Sequence, residues 1–127
     1  RLIHLAASYN TAFTGPTVVF DIGGGSVEIT YGRGAEPELV RSFKIGVIRL
    51  TERFLRSDPT SPRDERRLVR HVRDTTAPYL ELIRHRGFVR VIGTSGTITS
   101  LGALALSQSG AAVHDIANLE VPARALR

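Results

Sequence analysis

The sequence predicts an α/β domain built on a mixed sheet, and three observations lead there. Three strand-like runs, residues 17–22, 26–31 and 38–45, follow one another across short breaks rich in glycine, as in an antiparallel meander. A long segment, residues 62–86, carries apolar side chains at helical spacing. An apolar strand leading into a helix comes last, so the strands are neither all consecutive nor strictly alternating with helices.

Each element has its own justification. Apolar residues at positions 2, 3, 5, 6 and 9 predict a short helix over residues 1–9 that packs one face. Residues 10–16 form a turn-rich connection. Thr17-Val18-Val19-Phe20-Asp21-Ile22 reads as a buried strand. Gly23-Gly24-Gly25 turns the chain, and Val27, Ile29 and Tyr31 then alternate with Ser26, Glu28 and Thr30, which marks a two-faced antiparallel strand. Residues 32–37 are the next turn, and 38–45 a third strand that Gly46 stops. Val47, Leu50 and Phe54 repeat at helical spacing.

Ser61 as N-cap, Pro62 at the first helical position and Asp64 and Glu65 in the first turn mark the start of the long helix. Leu68, Val72, Thr75, Tyr79 and Leu82 supply its buried line, and Pro78 inside that line should kink or divide it. Gly87 ends it. Residues 88–92 are a fourth strand, Gly93-Thr94-Ser95-Gly96 a turn, and 97–106 a last helix followed by a polar break at 107–110. Residues 121–127 read as the first turns of a further helix.

The 127 residues suffice for one domain with one core, which is the expected organisation of 1–127. No Cys is present, which excludes disulfides and Cys-ligated metals. No apolar run approaches the roughly 20 residues of a membrane span, and the N-terminal residues are not a signal peptide, so a cytoplasmic protein is expected. The chain contains no Met and reads as a segment of something longer. The formal net charge is +5, and every basic residue except Lys44 is Arg. The guanidinium fork matches phosphate oxygens, although a GC-rich coding sequence also favours Arg.

Two stretches point to chemistry. In Asp21-Ile22-Gly23-Gly24-Gly25-Ser26-Val27-Glu28, three glycines leave a turn without Cβ atoms, so backbone N–H groups can approach an anion. Asp21 ends the incoming strand beside that nest. A carboxylate there repels phosphate unless a cation lies between, and Mg²⁺ suits a site with one or two carboxylates. Ser26 adds a hydroxyl, and Glu28, two residues on, shares its strand face. The plainer alternative is an ordinary hairpin with a solvated Glu. Gly93-Thr94-Ser95-Gly96, between a strand and a helix, is the second candidate anion site; here the alternative is that Thr94 or Ser95 only caps the helix. Arg49, Arg53, Arg63, Arg66, Arg67, Arg70 and Arg73 form a basic set, in which Arg63, Arg66, Arg70 and Arg73 make a helical stripe; it is read as a solvated face. His4, His71, His85 and His114 have no metal-ligand spacing and are read as surface residues.

Three segments together, Asp21 to Glu28, Gly46-Val47-Ile48-Arg49-Leu50-Thr51-Glu52 and Gly93-Thr94-Ser95-Gly96-Thr97-Ile98, resemble the exopolyphosphatase / guanosine pentaphosphate phosphatase (Ppx/GppA) family in order and spacing. Arg1-Leu2-Ile3 looks like the family segment before the second phosphate loop. The resemblance implies a ribonuclease H-like (actin-like ATPase) lobe, the second of two that flank a cleft. It implies release of terminal orthophosphate from polyphosphate, or of the 5′-terminal phosphate from guanosine pentaphosphate, with Mg²⁺ and without DNA or membrane partners.

Asp21 and Glu28 match the family's catalytic and metal-associated carboxylates. Gly23, Gly24, Gly25 and Ser26, with Gly93, Thr94, Ser95 and Gly96, match its phosphate contacts. The first lobe and the water-activating glutamate would lie before Arg1, so the isolated residues are expected to be inactive. The resemblance leaves room for a homodimer of the full-length protein. Val27 stands where the motif commonly has Thr, facing the core. Two other readings stay open: a sugar or acetate kinase-like ATPase lobe, and a non-catalytic sensor of polyphosphate or a guanosine alarmone.

Overall fold

The computed structural model describes residues 1–108 and 119–126. Within them lie α1 (Leu2–Asn10), β1 (Thr17–Ile22), β2 (Val27–Gly32), β3 (Leu39–Phe43), α2 (Val47–Phe54), α3 (Pro62–Arg86), β4 (Arg90–Thr94), α4 (Gly96–Gln108) and a 3₁₀ turn at Ala123–Leu126. The sheet order is β3-β2-β1-β4. β1 pairs antiparallel with β2, β2 antiparallel with β3, and β1 parallel with β4, which is the expected mixed sheet.

Alternation along the strands separates two faces. Val18, Val27, Ile29, Tyr31 and Phe43 point to one side, where they form the core with Ile45 and with Tyr79 and Ile83 of α3. The Tyr79 hydroxyl donates to the Ile29 carbonyl at 3.3 Å and its ring meets Phe43 edge-on, so the helix is fixed to the sheet by packing and by a buried hydrogen bond. Val27 lies in this core, as expected from its place in the strand. α1 and α4 pack against β1 and β4.

Several expectations shift; the third strand, for one, spans Leu39–Phe43 and not 38–45. The buried line of α3 runs through Val72, Thr76, Tyr79 and Ile83; Leu82 is 43% exposed and Ile83 2%. With 3.6 residues per turn, positions 82 and 83 flank the same stripe, and the sheet lies on the Ile83 side. Pro78 does not divide the helix, which continues to Arg86 and ends at Gly87, whose φ of 72° favours glycine. β4 starts two residues later than expected, because parallel pairing opposes Arg90 to Thr17, the first residue of β1. α4 continues through Ser107 and Gln108; the rest of the expected polar break lies outside the described residues, as does His114.

His4 is the clearest correction. It is completely buried, not on the surface. Its Nδ1 lies 2.7 Å from the Thr30 hydroxyl and its Nε2 3.0 Å from the Gly34 carbonyl, and its ring meets Phe13 edge-on. Because a carbonyl only accepts, Nε2 carries the proton and Nδ1 accepts from Thr30. His71 is half-buried against the Phe54 ring, whereas His85 is exposed beside Glu81.

Candidate active site

The register of the sheet builds the site. Asp21 on β1 stands directly opposite Glu28 on β2, Glu28 opposite Ser42 on β3, and Asp21 beside Thr94 on β4. One rung therefore crosses the whole sheet as Ser42, Glu28, Asp21, Thr94. Directly opposed residues share a face, so these side chains emerge on the side away from the α3 core.

Glu28 is held from two sides. The Ser26 and Ser42 hydroxyls both donate to its Oε1 at 2.7 Å. These bonds, that from Ser42 first, keep its carboxyl below the usual carboxylate range, with Lys44 adding to the effect and burial opposing it. Oε2 has no partner among the described residues. Ser26 does share the face of Glu28, but its hydrogen is directed at that carboxylate. Ser42 was not singled out from the sequence, and no local signal identifies it, since its role comes from strand pairing 14 residues away.

The glycine loop is organised by α2. The amides of Val47 and Ile48 donate to the Gly23 and Gly24 carbonyls at 3.0 Å, and that of Arg49 to Gly24 at 3.3 Å. The Arg49 Nε donates to the Gly25 carbonyl at 3.1 Å. In a trans peptide the N–H points opposite to the C=O, so the Gly24, Gly25 and Ser26 amides are directed away from α2. No described residue offers these amides an acceptor. Unpaired loop amides of this kind can hold an anion.

Gly46 makes this docking possible. A Cβ there would lie 2.5 Å from the carbonyl carbon and oxygen of Gly24, and closer still to the Ser26 nitrogen. Gly24, Gly25, Ile48, Arg49 and Glu52 enclose a shallow concavity of about 220 Å³ on the α2 side of the loop. A larger one, about 540 Å³, is formed by α3 alone around Arg66, Val69, Arg70 and Arg73, and includes none of the expected site residues.

The second candidate loop differs from its expected form. Gly93 and Thr94 are the end of β4, Ser95 alone is the turn, and α4 begins at Gly96. Neither hydroxyl caps the helix: Thr94 donates to the Phe20 carbonyl at 3.2 Å and Ser95 to the Ile22 carbonyl at 2.9 Å. Both tie β4 to the end of β1 and bring Thr94 beside Asp21. Ser95 has φ 83°, a conformation that a non-glycine residue rarely adopts.

Two carboxylates on one rung, with a free Glu28 oxygen, fit Mg²⁺, which needs few protein ligands. Among the described residues no group of three His, Cys, Asp or Glu side chains forms a denser metal cage.

A mixed four-stranded sheet whose first hairpin is closed by glycines, followed by a parallel βα unit, places the chain among lobes of the actin-like ATPase fold. Residues 1–124 match the Ppx/GppA phosphatase family, and the chain belongs to that family. It is 41% identical over 104 residues to exopolyphosphatase 2 of Mycobacterium tuberculosis, covering 78% of this chain and 32% of that protein. It is 27% identical over 120 residues to the guanosine-5′-triphosphate,3′-diphosphate pyrophosphatase of Aliivibrio fischeri, covering 94% of this chain and 24% of that protein. The crystal structure of an exopolyphosphatase from Cytophaga hutchinsonii superposes with a TM-score of 0.74 at 28% identity, covering 86% of this chain and 35% of that one. The chain thus spans about a third or less of the length of these relatives.

Proposed function

We propose that these residues form the phosphate-gripping wall of a phosphoanhydride hydrolase that releases terminal orthophosphate from polyphosphate, from guanosine pentaphosphate, or from both. The observation that carries the proposal is the adjacency of three outward, unpaired loop amides to the Asp21–Glu28 rung. Donors of this kind bind phosphate oxygens, while a pair of carboxylates beside them repels phosphate unless a cation intervenes.

In this reading the Gly24, Gly25 and Ser26 amides grip the substrate's phosphate oxygens and fix the terminal phosphoryl group for in-line attack by water. The bond from the water oxygen to phosphorus forms as the bridging P–O bond breaks, and most of the acceleration comes from positioning and charge stabilisation. Asp21 and Glu28 would hold Mg²⁺, with Ser26 and Ser42 fixing the Glu28 carboxylate. When bound, Mg²⁺ neutralises phosphate oxygens. The chain spans about a third of the length of its relatives, so in this reading the opposite wall of the cleft and the water-activating group lie outside residues 1–127, and these residues alone are expected to release little or no phosphate.

The test is a phosphate-release assay on the intact protein with polyphosphate and with guanosine pentaphosphate, each with and without Mg²⁺. Mg²⁺-dependent release from either substrate is expected. No release from both in the presence of Mg²⁺ would sink the proposal.

A further inference from the structure

We infer that Arg49 is a positioning residue of the phosphate loop: by holding the Gly25 carbonyl it fixes the direction of the Ser26 amide. The inference rests on the reading of this loop as the phosphate grip.

The three peptide units of the loop are not held alike. The Gly23 and Gly24 carbonyls accept from backbone amides of α2. The Gly25 carbonyl accepts from a side chain, the Arg49 Nε, at 3.1 Å. The peptide between Gly25 and Ser26 follows a residue with wide conformational freedom; Gly46 packs near its nitrogen and the Ser26 carbonyl accepts from Gly23, but the hydrogen bond that holds its own carbonyl is the one from Arg49. Rotation would turn the Ser26 N–H out of the nest, because N–H and C=O of one trans peptide point in opposite directions.

Arg49 suits the task. It sits in the first turn of α2, whose backbone is already docked on Gly23 and Gly24, so its side chain reaches the loop from a fixed platform. No described carboxylate lies within ion-pair distance of it, so no ion pair among the described residues competes with this contact. A charged donor also makes the stronger hydrogen bond. The carbonyl faces Arg49 and the amide faces away, so Arg49 lies behind the loop and acts on a ligand through the peptide.

Arg49→Ala in the intact protein tests this by two readouts. In phosphate release from polyphosphate, KM should rise about tenfold, as for loss of one hydrogen bond to a charged group, while kcat changes less than KM. The rise should persist at high salt, where a bare surface charge would be screened. In the ligand-free protein, the Ser26 amide NMR resonance should shift more than those of Gly24 and Gly25. An unchanged KM, or a rise that disappears at high salt with the Ser26 resonance unmoved, overturns the inference. If the wild-type protein releases no phosphate, the hydrolase reading fails, and the Ser26 resonance still decides the positioning role.

Discussion

Asp21 and Glu28 are directly opposed residues of the β1–β2 antiparallel pair, seven positions apart in sequence and joined by the glycine loop. The hairpin that presents the loop amides therefore also sets the two carboxylates side by side. A single register fixes donors and acids together, and a one-residue slip of β2 would turn Glu28 into the α3 core. The rung is guarded against that slip by Val27, Ile29 and Tyr31, which can only be buried in the present register.

Ser42 supports this rung. Ser42→Ala removes the larger of the two hydrogen bonds that depress the Glu28 carboxyl. A depressed carboxyl adds stability above its ordinary pKa, and that stability is lost as pH falls through the folded-state value. Ser42→Ala should raise the folded-state value and shrink the contribution. Acid unfolding followed by circular dichroism should then have its midpoint at higher pH than in the wild type. An unmoved midpoint would show that the bond does not act on stability.

Gly46 is expected to be intolerant of any side chain. The atoms that a Cβ would meet belong to the backbone of Gly24 and Ser26, which cannot swing aside as a side chain can. Gly46→Ala should destabilise the fold by about 3 kcal/mol, the upper end for overpacking, unless α2 moves off the loop. Urea unfolding measures the first outcome. Loss of protection of the Val47 and Ile48 amides in hydrogen exchange reports the second.

His4 gives the fold a pH dependence of its own. Burial lowers its pKa from the usual value, with the hydrogen bond to Gly34 opposing. The unfolded chain then binds the proton more tightly than the folded one. Stability is complete above about pH 6.5 and declines as pH falls through the window between the ordinary and the lowered value. His4→Gln removes the titrating group, so the difference between wild-type and variant stability should vary with pH across that window. A constant difference from pH 5 to pH 8 would contradict this assignment.

Much of this architecture is legible in the sequence. The β1 boundaries follow from a β-branched run ended by glycines, and the α3 start from the Ser61 cap, whose hydroxyl does accept from the Asp64 amide. Asp21, Glu28 and the loop stand out as candidates from residue type and spacing. What the sequence does not carry is pairing. Ser42 reaches Glu28, and Thr94 stands beside Asp21, only through strand register between distant segments. The burial of His4 depends on α1 meeting Thr30 and the Gly34 turn, 26 and 30 residues away. The orientation of the loop amides likewise depends on α2, which local propensity places on a helix but not against the loop.

Asp21 offers the most direct test of the phosphate-hydrolysing role. It makes no hydrogen bond or ion pair with another described side chain, so Asp21→Asn should leave the fold intact. In the intact protein, with Mg²⁺ and polyphosphate or guanosine pentaphosphate as substrate, this change should lower phosphate release by orders of magnitude while the unfolding transition stays in place. Turnover equal to that of the wild type would contradict it.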